Sequence, residues 1–483
     1  MNDNTRKTIV ALAALSNIIS VFSTQFLIDL KLIIKKKEIK YSETKAQEAM
    51  KRKAKCRSTF TEFVDSISPM MFRRMFRMPL QCFMNLCAVI RGKVGEHEFL
   101  SEDHIRNWDL SSPCGKRTRK ASFYASGDFI SGEMKLALTL RLLAGGSYLD
   151  ISYMFDVYYT GTYRIFHEVC EKWLCDDSVS TYTLETNLTN PSILHETAKV
   201  FNVKGRSNGI MCRVIGALDG WLVKIRSPSL KRDGVRNPST YFSRKGFFAI
   251  NVQVIADRHK RILWRSIISK GSEHDSAAFK NTHLYTKLSS LFTQGSPSPL
   301  RHEGIKLYLI GDSAYALRPF LLTPYDSASP NSKEDVFNFM LSSNRIFVEC
   351  CFGEINARFG ILWKPLAFDL KRHKFIIDAC MRLHNFLCDY RIRHELDQEW
   401  REDIRSYNDD CVSFMVNNPD ICIGTYGNGG IGVSGRPTAE ENAMRDAGSK
   451  LRDHLCYLMH ARNLTRVSRE WSTSTCNHNL DNS

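Results

Sequence analysis

At 483 residues, 43% of them hydrophobic and 24% charged, the chain can bury a substantial core and reads as an ordinary globular protein of roughly two to four domains. Its formal charge of +16 exceeds what solubility needs and points to a polyanionic partner, nucleic acid before acidic membrane. The fifteen cysteines are scattered, without paired C-x-x-C sets or a short secreted frame, which argues against a zinc module or disulfide scaffold and for a reducing compartment.

The first predicted element, "TIVALAALSNIISVFSTQFLIDLKLII" at residues 8–34, is apolar enough to raise a signal peptide or membrane span. Asn17, Gln25, Asp29 and Lys31 interrupt it, and a central charge costs roughly 2.5–3.5 kcal/mol on insertion. A core or partner-binding helix is the better reading, and a membrane partner is not expected. Residues 31–57 are rich in Lys and Arg, opposed only by Glu38, Glu43 and Glu48. They read either as a solvated helical linker or as a phosphate-contacting or nuclear-import segment.

Apolar positions from Phe72 to Leu86 recur at helical spacing, with Pro79 breaking the run into two helices. Residues 132–174 read as three helices, the first stopped at Gly145-Gly146, the second short, the third starting beyond a turn at Val157–Thr160. Short helix, tight turn and amphipathic helix make a helix-turn-helix pattern. Thr160, Thr162 and Arg164 then stand where side chains meet base edges or phosphates. DNA contact and a plain helical bundle both fit.

From about Cys212 the period changes from helix to strand. "CRVIGALDGWLVKI" is one strand, Phe247–Ser269 is two hinged at Asp257–Lys260, and "IKLYLIGDSAY" is another ending at Gly311-Asp312. A helix is expected from Asp275 to about Leu291. Another is expected over Asn344–Trp363, where Phe347, Cys350, Cys351, Ile355, Phe359 and Leu362 recur at steps of three and four. Strands followed by helices imply a mixed α/β domain with a partly antiparallel sheet. "RHKFIIDACMRLHNFLCDYRI" and "AEENAMRDAGSKLRDHLCYLMHARNL" are further helices, and the Gly-rich stretch 417–437 lacks the strand and helix that would frame a nucleotide fingerprint.

Three acids stand out: Asp219 in the middle of a strand, Asp312 directly after one, and Glu349 on a helix face shared with Arg345 and Asn356, with Gly353 leaving space one turn on. Singly they read as a strand-end turn, a helix N-cap and a partner for Arg345 or Arg358. Brought together they repel, by about 4 kcal/mol for a pair 4 Å apart at an effective dielectric near 20, so convergence needs a cation. Hard oxygen ligands select magnesium or manganese over zinc.

Five ordered motifs, "GALDGWLVKIRSP", "YFSRKGFFAINVQVIAD", "GSEHDSAAFKNT", "LIGDSAYALRPFLLTPY" and "NRIFVECCFGEINARFGIL", resemble those of the PIF/Harbinger transposases and Harbinger-derived nucleases. The resemblance covers about residues 70–395, with a fragment near 450. It implies an α/β fold: an RNase H-like catalytic domain, a mixed five-stranded sheet flanked by helices, over residues 205–395. An N-terminal all-α helix-turn-helix domain would occupy 61–180, an apolar helix and basic linker 1–60, and a helical or flexible tail 396–483. Asp219, Asp312 and Glu349 match the catalytic DDE triad, and Asp275 matches a further acid near the metals, with a helix N-cap as its other reading.

Two divalent ions, Mg2+ or Mn2+, about 3.5–4 Å apart would then activate water and stabilise the leaving oxygen in an in-line displacement. Lys224, Arg226, Lys231, Arg232, Arg244 and Lys245 either hold the DNA backbone or are solvated surface. The implied partners are double-stranded DNA, a second copy of the chain and a Myb/SANT-like accessory protein, and the implied compartment is the nucleus. The competing expectations are a domesticated, non-catalytic DNA-binding protein of the same fold and, resting on residues 8–34 alone, a membrane-tethered or secreted hydrolase.

Overall fold

A computed structural model of the chain describes residues 59–100, 130–203, 210–211, 213–293, 301–302, 305–417 and 438–465. The apolar segment 8–34, the basic segment 31–57 and the Gly-rich stretch beyond Asn417 lie outside these described residues.

Five strands form one mixed sheet: β1 (Val214–Lys224), β2 (Ala249–Ala256), β3 (Ile262–Lys270), β4 (Tyr308–Ile310) and β5 (Leu321–Leu322). Their order is β3-β2-β1-β4-β5. β1, β2 and β3 are antiparallel neighbours, whereas β4 pairs in parallel with both β1 and β5. The expected hinge between β2 and β3 is present: the Asp257 N–H donates to the Arg261 carbonyl at 2.9 Å, and Lys260 takes φ +67°. Every residue of β2 is buried, so both of its faces must be covered, and its apolar sequence is broken only by Asn251 and Gln253.

Among the helices before the sheet are α1 (Phe60–Asp65), α2 (Pro69–Phe76), α3 (Leu80–Val94), α4 (Gly132–Leu143), α5 (Tyr148–Met154) and α6 (Tyr159–Glu168), the last continuing through a π-helical turn to Leu174. Pro79 separates α2 from α3 as its sequence requires. Gly145 ends α4 with φ +98°, and here the chain passes so close to the far end of the sheet domain that a Cβ on Gly360 would stand 2.6 Å from the Ala144 carbonyl.

Within and after the sheet come α7 (Asp275–Lys280), α8 (Lys333–Arg358), α9 (Leu370–Arg393), α10 (Asp397–Asn417) and α11 (Ala439–Ala461). The helix expected to run from Asp275 to Leu291 is divided: α7 stops at Lys280 and a second helix spans His283–Thr293. Thr282 makes the break, accepting from the Tyr285 N–H while its hydroxyl donates to the Phe279 carbonyl. α8 begins at Lys333 rather than Asn344, because Ser332 caps it, and it ends at Arg358 before a 3-10 turn at Gly360–Leu362. Its buried stripe runs through Asn344, Val348, Cys351 and Ile355, leaving Cys350, expected on that face, exposed.

One hydrophobic core runs from Phe60, Phe72 and Phe83 through Trp173 to Ala217, Trp221, Ile355 and Met381. The N-terminal helices and the sheet therefore share an interior. α10 locks the join: Arg73 pairs with Asp403 at 2.8 Å, and Arg77 with Asp410 at 3.3 Å. The buried Arg358 donates to the Arg77 carbonyl at 2.7 Å and lies 4.1 Å over the Trp400 ring. A second, smaller core fills the other face of the sheet with Leu218, Ile255, Phe279, Leu309 and, from α11, Met444. Among the described residues no helix is long and apolar enough to cross a membrane, and the described cysteines are free thiols.

Candidate active site

Asp219 lies at the centre of β1, not at a strand-end turn. The parallel register pairs Ala217 with Ile310. Asp312 follows two residues beyond that last pair, just past the end of β4, and its charge acts on Asp219. Asp312 makes a turn rather than a helix cap, its Oδ1 accepting from the Ala314 N–H at 3.0 Å. α8 crosses the same face of the sheet, Phe352 stacking on Trp221 with ring centroids 5.5 Å apart. That packing brings Arg345 and Glu349 over the strand ends. Arg345 donates from Nη1 to Asp219 Oδ2 at 3.0 Å, and its Nη2 meets Glu349 Oε1 at 2.5 Å. A Cβ on Gly353 would meet nothing within 4 Å, so the space beside Glu349 is open.

The Asp219 side chain is 16% exposed. Burial pushes its carboxyl up to about 7; the Arg345 guanidinium opposes this, and the charges of Asp312 and Glu349 reinforce it. Asp312 is also raised, first by burial and further by Asp275, against the Ala314 N–H and Arg345. These acids feel one another, and burial outweighs the counter-charge that Arg345 supplies to Asp219 and Asp312. Among the described residues no three His, Cys, Asp or Glu side chains form a ready metal-ligating group. The donors nonetheless fit a hard divalent cation: all are carboxylate oxygens, partly desolvated, and a cationic guanidinium already lies between two of them.

Asp275, expected near the metals or as a helix N-cap, lies within electrostatic reach of Asp312. It opens α7, with His274 at the N-cap position. Its Oδ1 stands 2.1 Å from where a Cβ on Gly220 would be. Successive strand residues face opposite ways, so Asp275 lies on the side of β1 away from the Asp219 carboxylate. Oδ1 accepts from Asn251 at 2.9 Å and from Gln253 at 3.1 Å, and Oδ2 from Arg244 at 3.3 Å. This also answers why glycine follows Asp219: any side chain there would collide with Asp275. A pocket of about 100 Å³ beside it is lined by Arg244, Lys245 and His274.

Of the residues expected to meet DNA, Thr160 and Arg164 are exposed at the start of α6. Thr162 is buried, its hydroxyl donating to the Tyr158 carbonyl at 3.4 Å. It faces inward with Ile165 and Phe166, so it cannot reach a duplex. Arg226, Arg244 and Lys245 are exposed, and Lys224 is half-buried with its ammonium 5.0 Å over the Phe247 ring. Lys231 is exposed too, but Arg232 is engaged with Asp233 and the Ser227 carbonyl.

The sequence reading missed Asn251, Gln253 and Tyr315. Two polar residues at alternating positions in "AINVQVIA" were the available signal, since a buried amide in a central strand needs a partner.

Residues 218–385 match the family model described as DDE superfamily endonuclease. The chain is 23% identical over 334 residues to an ALP1-like protein of Arabidopsis thaliana, covering 67% of this chain and 72% of that one. It is 26% identical over 188 residues to HARBI1 of Xenopus laevis, named as a presumed nuclease, covering 38% of this chain and 48% of that one. HARBI1 of Mus musculus, also named as a presumed nuclease, is 27% identical over 200 residues, which is 40% of this chain and 52% of that one. The chain thus spans about half the length of these two relatives. No solved structure matches.

Proposed function

From the premise that residues 218–385 are a DDE superfamily endonuclease domain related to the Harbinger-derived nucleases, we propose that the chain is a metal-dependent DNA endonuclease with an RNase H-like catalytic domain. It cleaves phosphodiester bonds at transposon ends and joins them to target DNA. One observation carries the reading: Asp219 at the centre of β1 lies close enough to Asp312, two residues beyond the end of the parallel strand β4, to feel its charge, and α8 delivers Glu349 to Asp219 through Arg345.

Asp219, Asp312 and Glu349 would hold the divalent ions, which when bound supply the Lewis acid that activates water and steadies the leaving oxygen. The protein contributes the desolvated face of the sheet, which keeps Asp219 and Asp312 short of water and strengthens their hold on a cation. Arg226, Arg244 and Lys245 serve the DNA backbone as exposed cations, and Thr160 and Arg164 serve it from a helix-turn-helix built by α5 and α6. Double-stranded DNA, a second copy of the chain, a Myb/SANT-like accessory protein and a nuclear site of action belong to the same proposal.

The test is cleavage of DNA bearing candidate terminal repeats in Mg2+ or Mn2+. Asp219→Asn should keep DNA binding and abolish cutting; equal cutting by both proteins refutes the assignment. A second reading, a domesticated DNA-binding protein without catalysis, is favoured by Arg345, which already satisfies Asp219 and Glu349 without an ion. DNA binding by the wild type with no cutting in either metal would select it.

A further inference from the structure

Beneath β1, on the side away from Asp219, lies a buried polar network that the proposed chemistry does not use. Gln253 is completely buried and sits directly across the β1–β2 ladder from Gly220. Its Nε2 donates to Asn251 Oδ1 at 2.8 Å and to Asp275 Oδ1 at 3.1 Å, and its Oε1 accepts from the Tyr315 hydroxyl at 2.7 Å. Asn251, 1% exposed, donates to Asp275 Oδ1 and to the Glu273 carbonyl. Tyr315 is 4% exposed and belongs to the turn that begins at Asp312, its N–H donating to the Asp312 carbonyl at 3.3 Å. The chain of contacts therefore runs from α7 through β2 to the loop holding Asp312.

Such a network is costly unless complete, because each amide must recover the hydrogen bonds it had in water. Here the two amides and the tyrosine hydroxyl are engaged, and Gly220 supplies the room for the carboxylate that anchors them. Both Asp275 oxygens are occupied by protein donors, two amides on one and Arg244 on the other.

We infer that Asp275 and Gln253 are positioning residues: Asp275 anchors Gln253, and Gln253 fixes the Asp312 turn through Tyr315, so the fourth acid orients the site rather than ligating an ion. The inference rests on the nuclease reading for its purpose, but its geometry is testable without it. Tyr315→Phe removes one hydroxyl and keeps the buried ring, which packs edge-on to Phe279. Asp275→Asn weakens the other end.

Amide hydrogen exchange over residues 311–317 should quicken about 5- to 10-fold in each single variant, with the full-length protein still folded by circular dichroism. The double variant should exchange within about twofold of the faster single one, since breaking a chain twice costs little more than breaking it once. Exchange that is unchanged in the singles, or that multiplies in the double, overturns the inference. Mn2+ titration gives the second readout: Asp275→Asn should bind as many ions as the wild type, and loss of one equivalent makes Asp275 a ligand and overturns it. If the wild type binds no Mn2+, the nuclease reading fails while the exchange data still decide this one.

Discussion

Arg345 donates to Asp219 at 3.0 Å while its other nitrogen meets Glu349 at 2.5 Å, so one guanidinium ties the centre of β1 to the face of α8. A helix pair four residues apart is ordinary. The added reach to Asp219, 126 residues away in sequence, makes Arg345 the counter-ion of the site.

Arg345 and a divalent cation compete for the same oxygens. Arg345→Gln should therefore tighten Mn2+ binding about 5-fold, roughly 1 kcal/mol once the exposure of Glu349 is discounted. Isothermal titration of the folded variant measures this. Weaker binding would mean that Arg345 holds the acids in place instead.

Asp219 makes stability depend on pH in an unusual direction. Its carboxyl moves from 3.8 to about 7 on folding, chiefly through burial. The folded chain thus binds more protons between those values, and stability falls as pH rises from about 4 through 7, by up to about 4 kcal/mol. Melts in chelator at pH 5 and pH 8 should show the wild type losing more than Asp219→Asn. Equal losses would remove Asp219 as the cause.

Two glycines, one on β1 and one on α8, should respond oppositely to alanine. Gly220→Ala drives a Cβ to 2.1 Å from Asp275 Oδ1, and such overpacking should cost about 1–3 kcal/mol. Gly353→Ala adds a methyl to open helix surface and should stabilise by about 0.5–1 kcal/mol. Urea denaturation reads both; a stabilised Gly220→Ala would show that Asp275 can move freely.

On α6, Arg164→Ala should weaken DNA binding about 3- to 10-fold at low salt and flatten the salt dependence by about one unit of slope. Thr162→Ala, being buried, should leave affinity within about twofold. Fluorescence anisotropy against sodium chloride separates them. Unchanged affinity in Arg164→Ala would take α6 out of DNA reading.

What the chain reveals before folding follows from how local each signal is. The first three strands, the Asp257–Lys260 hinge, the break at Pro79 and the azimuth shared by Arg345 and Glu349 arise from neighbouring residues and stand as the pattern requires, whereas the run from Ile305 is split, Ile305–Lys306 pairing with Arg301–His302 and only Tyr308–Ile310 joining the main sheet. Thr162 faces inward because it shares the buried stripe of α6 with Ile165 and Phe166, which sequence proximity to Arg164 does not reveal. The partners of Asp275 were not legible, because its side of the sheet depends on which face α7 covers, and Asn251, Gln253 and Tyr315 supply that answer only in three dimensions.

The interior shared by the N-terminal helices and the sheet has a mechanical corollary. Gly145 and Gly360 meet backbone to backbone, and Arg358 spans from α8 to the Arg77 carbonyl at the end of α2, so among the described residues the helices that carry α6 are packed directly onto the sheet domain that carries Asp219. A duplex gripped at one and cut at the other would be measured off by a fixed ruler, and any adjustment in that offset would have to come from bending the nucleic acid.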